Sequence, residues 1–320
     1  MTRTALGSSR QLAAIGAALL AVAVVAAAFG MVVAGGQYRE ALPGLPDPGA
    51  LVAWGTPILR ALTGMASVAT IGWLLAATFL DPSGKNGVVS QAGRRDLKWA
   101  AISAIIWAEL AVVQLLFELA NVLGVPFSEA VRPEIFSTYA NEVPTTRALF
   151  VMAVLAVIVA IGALATSTTG ASAAWLLIAV AAAALPALAG HSAGLGDHAL
   201  AMTAGVTHVV AAVLWMGGLM ALGAHAFRRD MPVDRAVQRF STIALVCILL
   251  LAASGAGNAY ARLDAPSQLL STGYGQLILV KTGLIVALGV IGWVIRQRML
   301  GTLNQVSRVA VFARIAGLEL

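Results

Sequence analysis

The sequence predicts an all-α, polytopic transmembrane helical bundle, on three observations. Sixty per cent of its 320 residues are hydrophobic and 11% are charged, with a mean hydropathy of +0.89; a soluble domain carries about 25% charged residues. Eight apolar segments each approach or exceed the roughly 20 residues that cross a hydrocarbon core. The basic residues gather in short connections between those segments, where membrane orientation places them. The net charge of +6 therefore reflects topology, and nucleic acid is excluded as a partner.

The first segment, 11–34, follows Arg3 and Arg10. Its apolar run from Leu12 to Ala34 is longer than the roughly 7–15 residues of a signal-peptide core, so it reads as an uncleaved span. The second, 55–80, ends at "DPSGKNG" (81–87), a turn without the spacing or preceding strand of a phosphate loop. The third, 98–122, holds Glu109, Gln114 and Glu118. The connection 123–146 sets Glu129, Glu134 and Glu142 against Arg132 and is expected on the membrane surface. Spans four and five, 147–167 and 172–189, are runs of alanine, valine and leucine. Span six, 199–223, holds His208. Span seven, 240–261, contains the single cysteine, Cys247, which rules out intrachain disulfides and cysteine metal clusters. Span eight, 275–295, holds Lys281. A ninth stretch opens near Val309 just as the sequence stops at "RIAGLEL", an ending that suggests a longer protein. The whole, 1–320, reads as one transmembrane domain.

Fourteen Lys and Arg fall before span one and after spans two, six and eight, against four (Arg39, Arg132, Arg147 and Arg262) in the opposite connections. The positive-inside rule puts the N-terminus in the cytoplasm. Tyr38, Trp54, Tyr139, Tyr260 and Tyr274 then form an outer interfacial belt.

Three of the four histidines occupy one stretch, "GHSAGLGDHALAMTAGVTHVV" (190–210). Imidazole is the commonest protein metal ligand and suits copper. His191, Asp197 and His198 lie in an outer connection, where they capture an ion or are simply solvated. His208 lies about 15 Å deeper if span six is a regular helix; it is either an inner ligand or a hydrogen-bonding tie between helices. Met202 offers a thioether, or packs. Ionisable groups within spans are costly and demand a reason. Glu109 and Glu118 are nine apart, on roughly opposite helix faces. Glu118 is placed to meet Arg60. Glu109 partners Lys281, or Lys281 snorkels outward. Asn258 completes a polar interior, or bonds a neighbouring helix.

"THVVAAVLWMGGLMAL" (207–222), "RFSTIALVCILLLAASGAGNAYARL" (239–263) and "LLSTGYGQLILVKTGLIVALGVIGWVIRQR" (269–298) together resemble the copper resistance D (CopD) family of bacterial inner-membrane proteins. The core of the resemblance is 190–298; the first four spans share only general layout. The positions it carries over are His208, Trp215, Gly217, Gly218, Asn258, Tyr274, Gly275 and Lys281, with Trp215, Gly217 and Gly218 read as helix-packing residues. It implies a multi-pass protein of the inner (plasma) membrane, without enzymatic activity. Copper would enter from the outer face for copper homeostasis or cytochrome c oxidase maturation. Membrane lipids, a periplasmic copper chaperone and the oxidase assembly machinery are the implied partners. The alanine- and valine-rich style is actinobacterial, where this module is joined to a second one resembling the oxidase assembly factor CtaG. Two rivals stand beside this reading. One is a haem-binding electron-transfer protein, with His208 and His191 bracketing the iron. The other is an oxidase-assembly scaffold that transports nothing.

Overall fold

The structure is a computed structural model that describes residues 40–42, 45–81, 87–189, 198–228, 233–260 and 267–301, with Tyr38, Leu263 and Ala265. Seven long helices account for most of them: α1 (Gly49–Leu75), α2 (Gln91–Leu123), α5 (Pro144–Ala165), α6 (Thr169–Ala189), α7 (His198–Arg228), α8 (Val233–Tyr260) and α10 (Gly273–Gly301). Three short ones, α3 (Phe127–Ala130), α4 (Pro133–Tyr139) and α9 (Gln268–Ser271), lie in connections. Six helices are long and apolar enough to cross a membrane; in α10 the described apolar stretch, Gly273–Ala287, is shorter. The expected first span, 11–34, and the stretch near Val309 lie outside the described residues.

The helix ends follow from local chemistry. Ser90 caps α2, accepting the Gly93 amide at 3.0 Å. Gly124 ends it in the left-handed conformation, φ 64°, which glycine adopts without a Cβ penalty. Pro144 opens α5 from its first turn, where a missing N–H costs nothing. α1 runs into a π turn, Ala76–Leu80, and Arg239 of α8 donates to the Phe79 carbonyl there at 3.0 Å. At the same end Val89 donates its amide to the Ser167 carbonyl at 2.9 Å, tying the α1–α2 connection to the α5–α6 connection.

α1 is central, packed against α2, α6 and α7. α5 lies outside α2, α6 bridges α5 and α7, and α8 and then α10 extend the far side. Small residues make this possible. The core is lined by Ala66, Ala100, Ala104, Ala111, Ala156 and Ala160, whose size lets helix backbones approach closely. The outward faces of α2 and α5 carry Ile102, Ile105, Ile106, Phe150, Val154 and Ile161, an apolar surface suited to lipid.

The connection 123–146 does more than lie on a surface. α3 buries Ala130 against Val52 of α1 and Ala120 of α2, with Val125 and Phe127 alongside, so it plugs that end of the bundle. Tyr139, Tyr260 and Tyr274 are exposed at this end, as an interfacial belt requires.

Just before α1, Asp47 gathers three donors: the Gly49 amide at 2.8 Å, the Ala41 amide at 3.1 Å and the Tyr38 hydroxyl at 2.9 Å. The Gly49 amide foremost, then Ala41 and Tyr38, hold its carboxyl below its ordinary value. The turn is therefore fully supported above the unfolded carboxylate pKa of about 3.9 and loses support as pH falls through the lower folded value. Hydrogen exchange at the Gly49 and Ala41 amides should accelerate, beyond the intrinsic pH effect, in Asp47→Asn at neutral pH. Unchanged protection in that variant would remove the carboxylate from the account.

Candidate functional site

α7 and α8 pack side by side, and His208, one of the residues singled out for metal chemistry, meets α8. α7 is continuous from His198 to Arg228. Ten residues of regular helix separate His198 from His208 by about 15 Å, so one ion cannot bridge them. The side chain of His198, and all of His191 and Asp197, lie outside the described residues. His208 is half-buried, with Nδ1 3.1 Å from Ser254 Oγ on α8. The Ser254 hydroxyl donates back to the Leu251 carbonyl at 3.2 Å. A serine hydroxyl has one proton: where it goes to the Leu251 carbonyl, Nδ1 donates to Ser254 and Nε2 keeps its lone pair; where it goes to His208, Nδ1 accepts and Nε2 carries the proton. A ring oriented through one nitrogen, with the other open, is the arrangement of metal-ligating histidines.

Around it, one turn outward, Gly257 of α8 faces Ala204 and Leu200 of α7. Met202 and Asn258 are half-buried on the same two helices. Among the described residues no three His, Cys, Asp or Glu converge on a point where they would hold a metal ion. His225, the other histidine whose side chain is described, is 17 residues along the same helix, about 25 Å away, so it cannot share an iron with His208.

The polar interior divides differently from the sequence expectation. Glu118 is 5% exposed and takes the Arg60 guanidinium on both oxygens, at 2.7 and 2.8 Å. Glu109, expected inside, is exposed. Trp107, Ala111, Gln114 and Glu118 form the buried face of α2, and a residue nine positions from Glu118 must face away. Lys281 is exposed as well, on α10, whose neighbour is α8, whereas α2 lies against α1 and α5. The expected Glu109–Lys281 pair is thus corrected: both side chains are exposed, on helices that do not pack together. Breaking the pair that does form should matter. Arg60→Met strands a buried carboxylate and should cost about 3 kcal/mol, the lower end for such pairs, because Arg60 itself is 55% exposed. Adding Glu118→Gln should restore part of the loss in a thermal melt; strictly additive losses would dismiss the pair.

Gly217 and Gly218 are both buried and do pack helices. Gly217 lies back to back with Gly72 of α1, where a Cβ would come within 2.8 Å of the Gly72 amide nitrogen and the Val68 carbonyl. Gly218 lies against the Phe240 ring of α8. Trp215, half-buried, packs against the same α7–α8 seam.

A second polar cluster, absent from the sequence reading, lies at the basic end of the bundle. Asp96 of α2 and His225 of α7 are both fully buried, with His225 Nε2 3.0 Å from Asp96 Oδ2. Arg228 Nη1 is 4.0 Å from Asp96 Oδ1. The Arg228 guanidinium lies over Trp73 at 4.8 Å and Trp99 at 5.7 Å. Trp73 also meets the His225 ring edge-on, with centroids 6.3 Å apart. Asp96 stands among three basic residues in "RRDLK" and reads as loop charge; its isolation as the lone acid there was the available signal.

Fold and site together define a polytopic helical membrane protein with buried ionisable groups at two depths along one helix. The chain belongs to the copper resistance D family: residues 51–199 match the copper resistance protein D-like N-terminal domain, and residues 234–320 match copper resistance protein D. The match thus reaches the spans that the sequence reading related to the family by layout alone. α7, with His208 and His225, lies largely between the two matched stretches. The chain is 30% identical over 168 residues to the copper transport protein CutJ of Bacillus subtilis (strain 168), over 51% of this chain and 31% of that protein. It thus spans under a third of that relative's length by alignment. No solved structure matches it.

Proposed function

We propose that the protein is a copper transport or delivery protein of the cell's inner membrane, with His208 as an inner copper ligand. Copper enters from the tyrosine-belted face, meets His191, His198 and Asp197, and passes to His208 with Met202 nearby. It is thereby supplied for copper homeostasis or for maturation of cytochrome c oxidase, through a periplasmic chaperone or the assembly machinery. The protein itself performs no enzymatic reaction.

One observation carries this reading: His208, half-buried on a long apolar helix, is held through Nδ1 by Ser254 of the neighbouring helix, which leaves Nε2 for a ligand. Family membership and the name of the relative support copper as the cargo. Asn258, half-buried on the helix that holds Ser254, and Lys281 flank the path. The test is copper accumulation by cells expressing the wild type or His208→Ala at equal protein level. Equal accumulation would reject His208 as a ligand and favour the scaffold reading.

A further inference from the structure

We propose that Asp96 and His225 form a proton-binding site, and that α7, pivoting on its contact with Gly72, couples the proton there to copper at His208. The coupling rests on the copper reading; the proton site does not.

Ionisable groups buried inside a membrane bundle are costly and mark ion or proton pathways. Histidine is the side chain whose charge ordinarily changes near neutral pH. Here the pair is fully buried and in hydrogen-bonding contact. With the imidazole neutral, Asp96 and Arg228 balance one another. With the imidazolium, one carboxylate serves two cations, and the site has gained one proton from the solution and nothing else. Arg228 is held in either state by the faces of Trp73 and Trp99. Among the described side chains, the other charges at this end have their own engagements or lie at the surface. Asp81 takes the Ser90 hydroxyl and the Gly93 amide. Arg94 donates to the Val89 carbonyl, and Arg239 to the Phe79 carbonyl. Arg95, Lys98 and Arg235 are exposed. α6 contains no charged residue, and the charges of α1 and α5, Arg60 and Arg147, lie toward the opposite end.

The mechanical link is the helix. α7 is unbroken from His198 to Arg228. Gly217 sits nine residues from His208 and eight from His225, about 13 and 12 Å along the axis. Its backbone touches the backbone of α1 at Gly72. A helix pinned at its middle moves its two arms in opposite senses. Tightening or loosening the Asp96–His225 contact at one end therefore displaces His208 relative to Ser254 at the other.

Trp73 supplies a reporter that needs no copper, because an imidazolium beside an indole quenches its emission whereas a neutral imidazole quenches far less. Purified full-length protein should show a step in tryptophan emission on titration between pH 5 and 8. The step should vanish in His225→Gln and in Trp73→Phe; should His225→Gln fail to fold, Asp96→Asn must move its midpoint by at least one pH unit. Linkage is reciprocal, so saturating Cu(I) should shift the wild-type midpoint by about one unit, a tenfold coupling, and leave His208→Ala unmoved. A step that persists unchanged in His225→Gln, or in a folded Asp96→Asn, overturns the proton site. A step that depends on His225 but ignores bound Cu(I) overturns the coupling. Failure of the wild type to bind Cu(I) in equilibrium dialysis rejects the copper reading and the coupling with it, while the copper-free titration still decides the proton site.

Discussion

Replacing His208 by alanine is expected to abolish copper accumulation while leaving the protein in the membrane at its normal level. The two halves of that expectation have different causes. His208 is half-buried and makes one described hydrogen bond, to Ser254; losing such a bond costs about 0.5–1.5 kcal/mol, too little to clear a folded bundle. Its Nε2 lone pair, by contrast, has no substitute, since among the described residues no other histidine lies at its depth. Ser254→Ala should give an intermediate result. It keeps the imidazole but removes the group that fixes its orientation, which typically costs about 10–100-fold in metal affinity. His208→Gln is the decisive companion, for a glutamine amide can still reach toward Ser254 but offers no imidazole nitrogen. Normal copper accumulation in His208→Gln would mean that the residue is a helix tie alone.

Gly217→Leu is expected to remove the folded protein altogether. A Cβ there would lie within 2.8 Å of backbone atoms of Gly72 and Val68, and backbone atoms cannot rotate away as a side chain would. Ordinary overpacking costs about 1–3 kcal/mol; here α1 and α7 must separate, and α1 is also packed against α2 and α6, so the penalty should lie at or above that range. Gly223→Ala is the control. It lies on the same helix, with nothing within 4 Å of its added methyl, and helix propensity favours alanine by about 1 kcal/mol. Its level and melting temperature should match or exceed the wild type. Wild-type melting of Gly217→Leu would show that the close approach is not what holds α7 to α1.

Gly217 also shows what a motif conveys and what it withholds. The sequence marks Gly217 and Gly218 as packing residues within Trp-x-Gly-Gly. It does not say that the first meets a glycine 145 positions earlier while the second meets a phenylalanine ring on the following helix. Arg60 and Glu118 illustrate the favourable case: two rare charges of opposite sign within apolar helices, toward the same end of the bundle, had few other ways to be satisfied. Glu109 illustrates the unfavourable one. Helical spacing put it opposite Glu118, but spacing alone does not say which of two opposite faces looks inward.

What the sequence by itself determined is the class of protein: an apolar helical bundle, six of whose described helices are long and apolar enough to cross a membrane, and the resemblance to the copper resistance D family. These follow from local quantities, hydropathy over about 20 residues and residue order within a segment. Only the tertiary structure decided that Ser254 meets His208, that Glu109 and Lys281 face outward, and that Asp96 and His225, 129 residues apart, meet in a fully buried pair. The reason is physical. A side chain's partner is set by which helix faces pack together, and in a chain this rich in alanine and leucine many faces are equally apolar. The choice among them is made by close contacts such as Gly72 with Gly217, which no periodicity within one helix records.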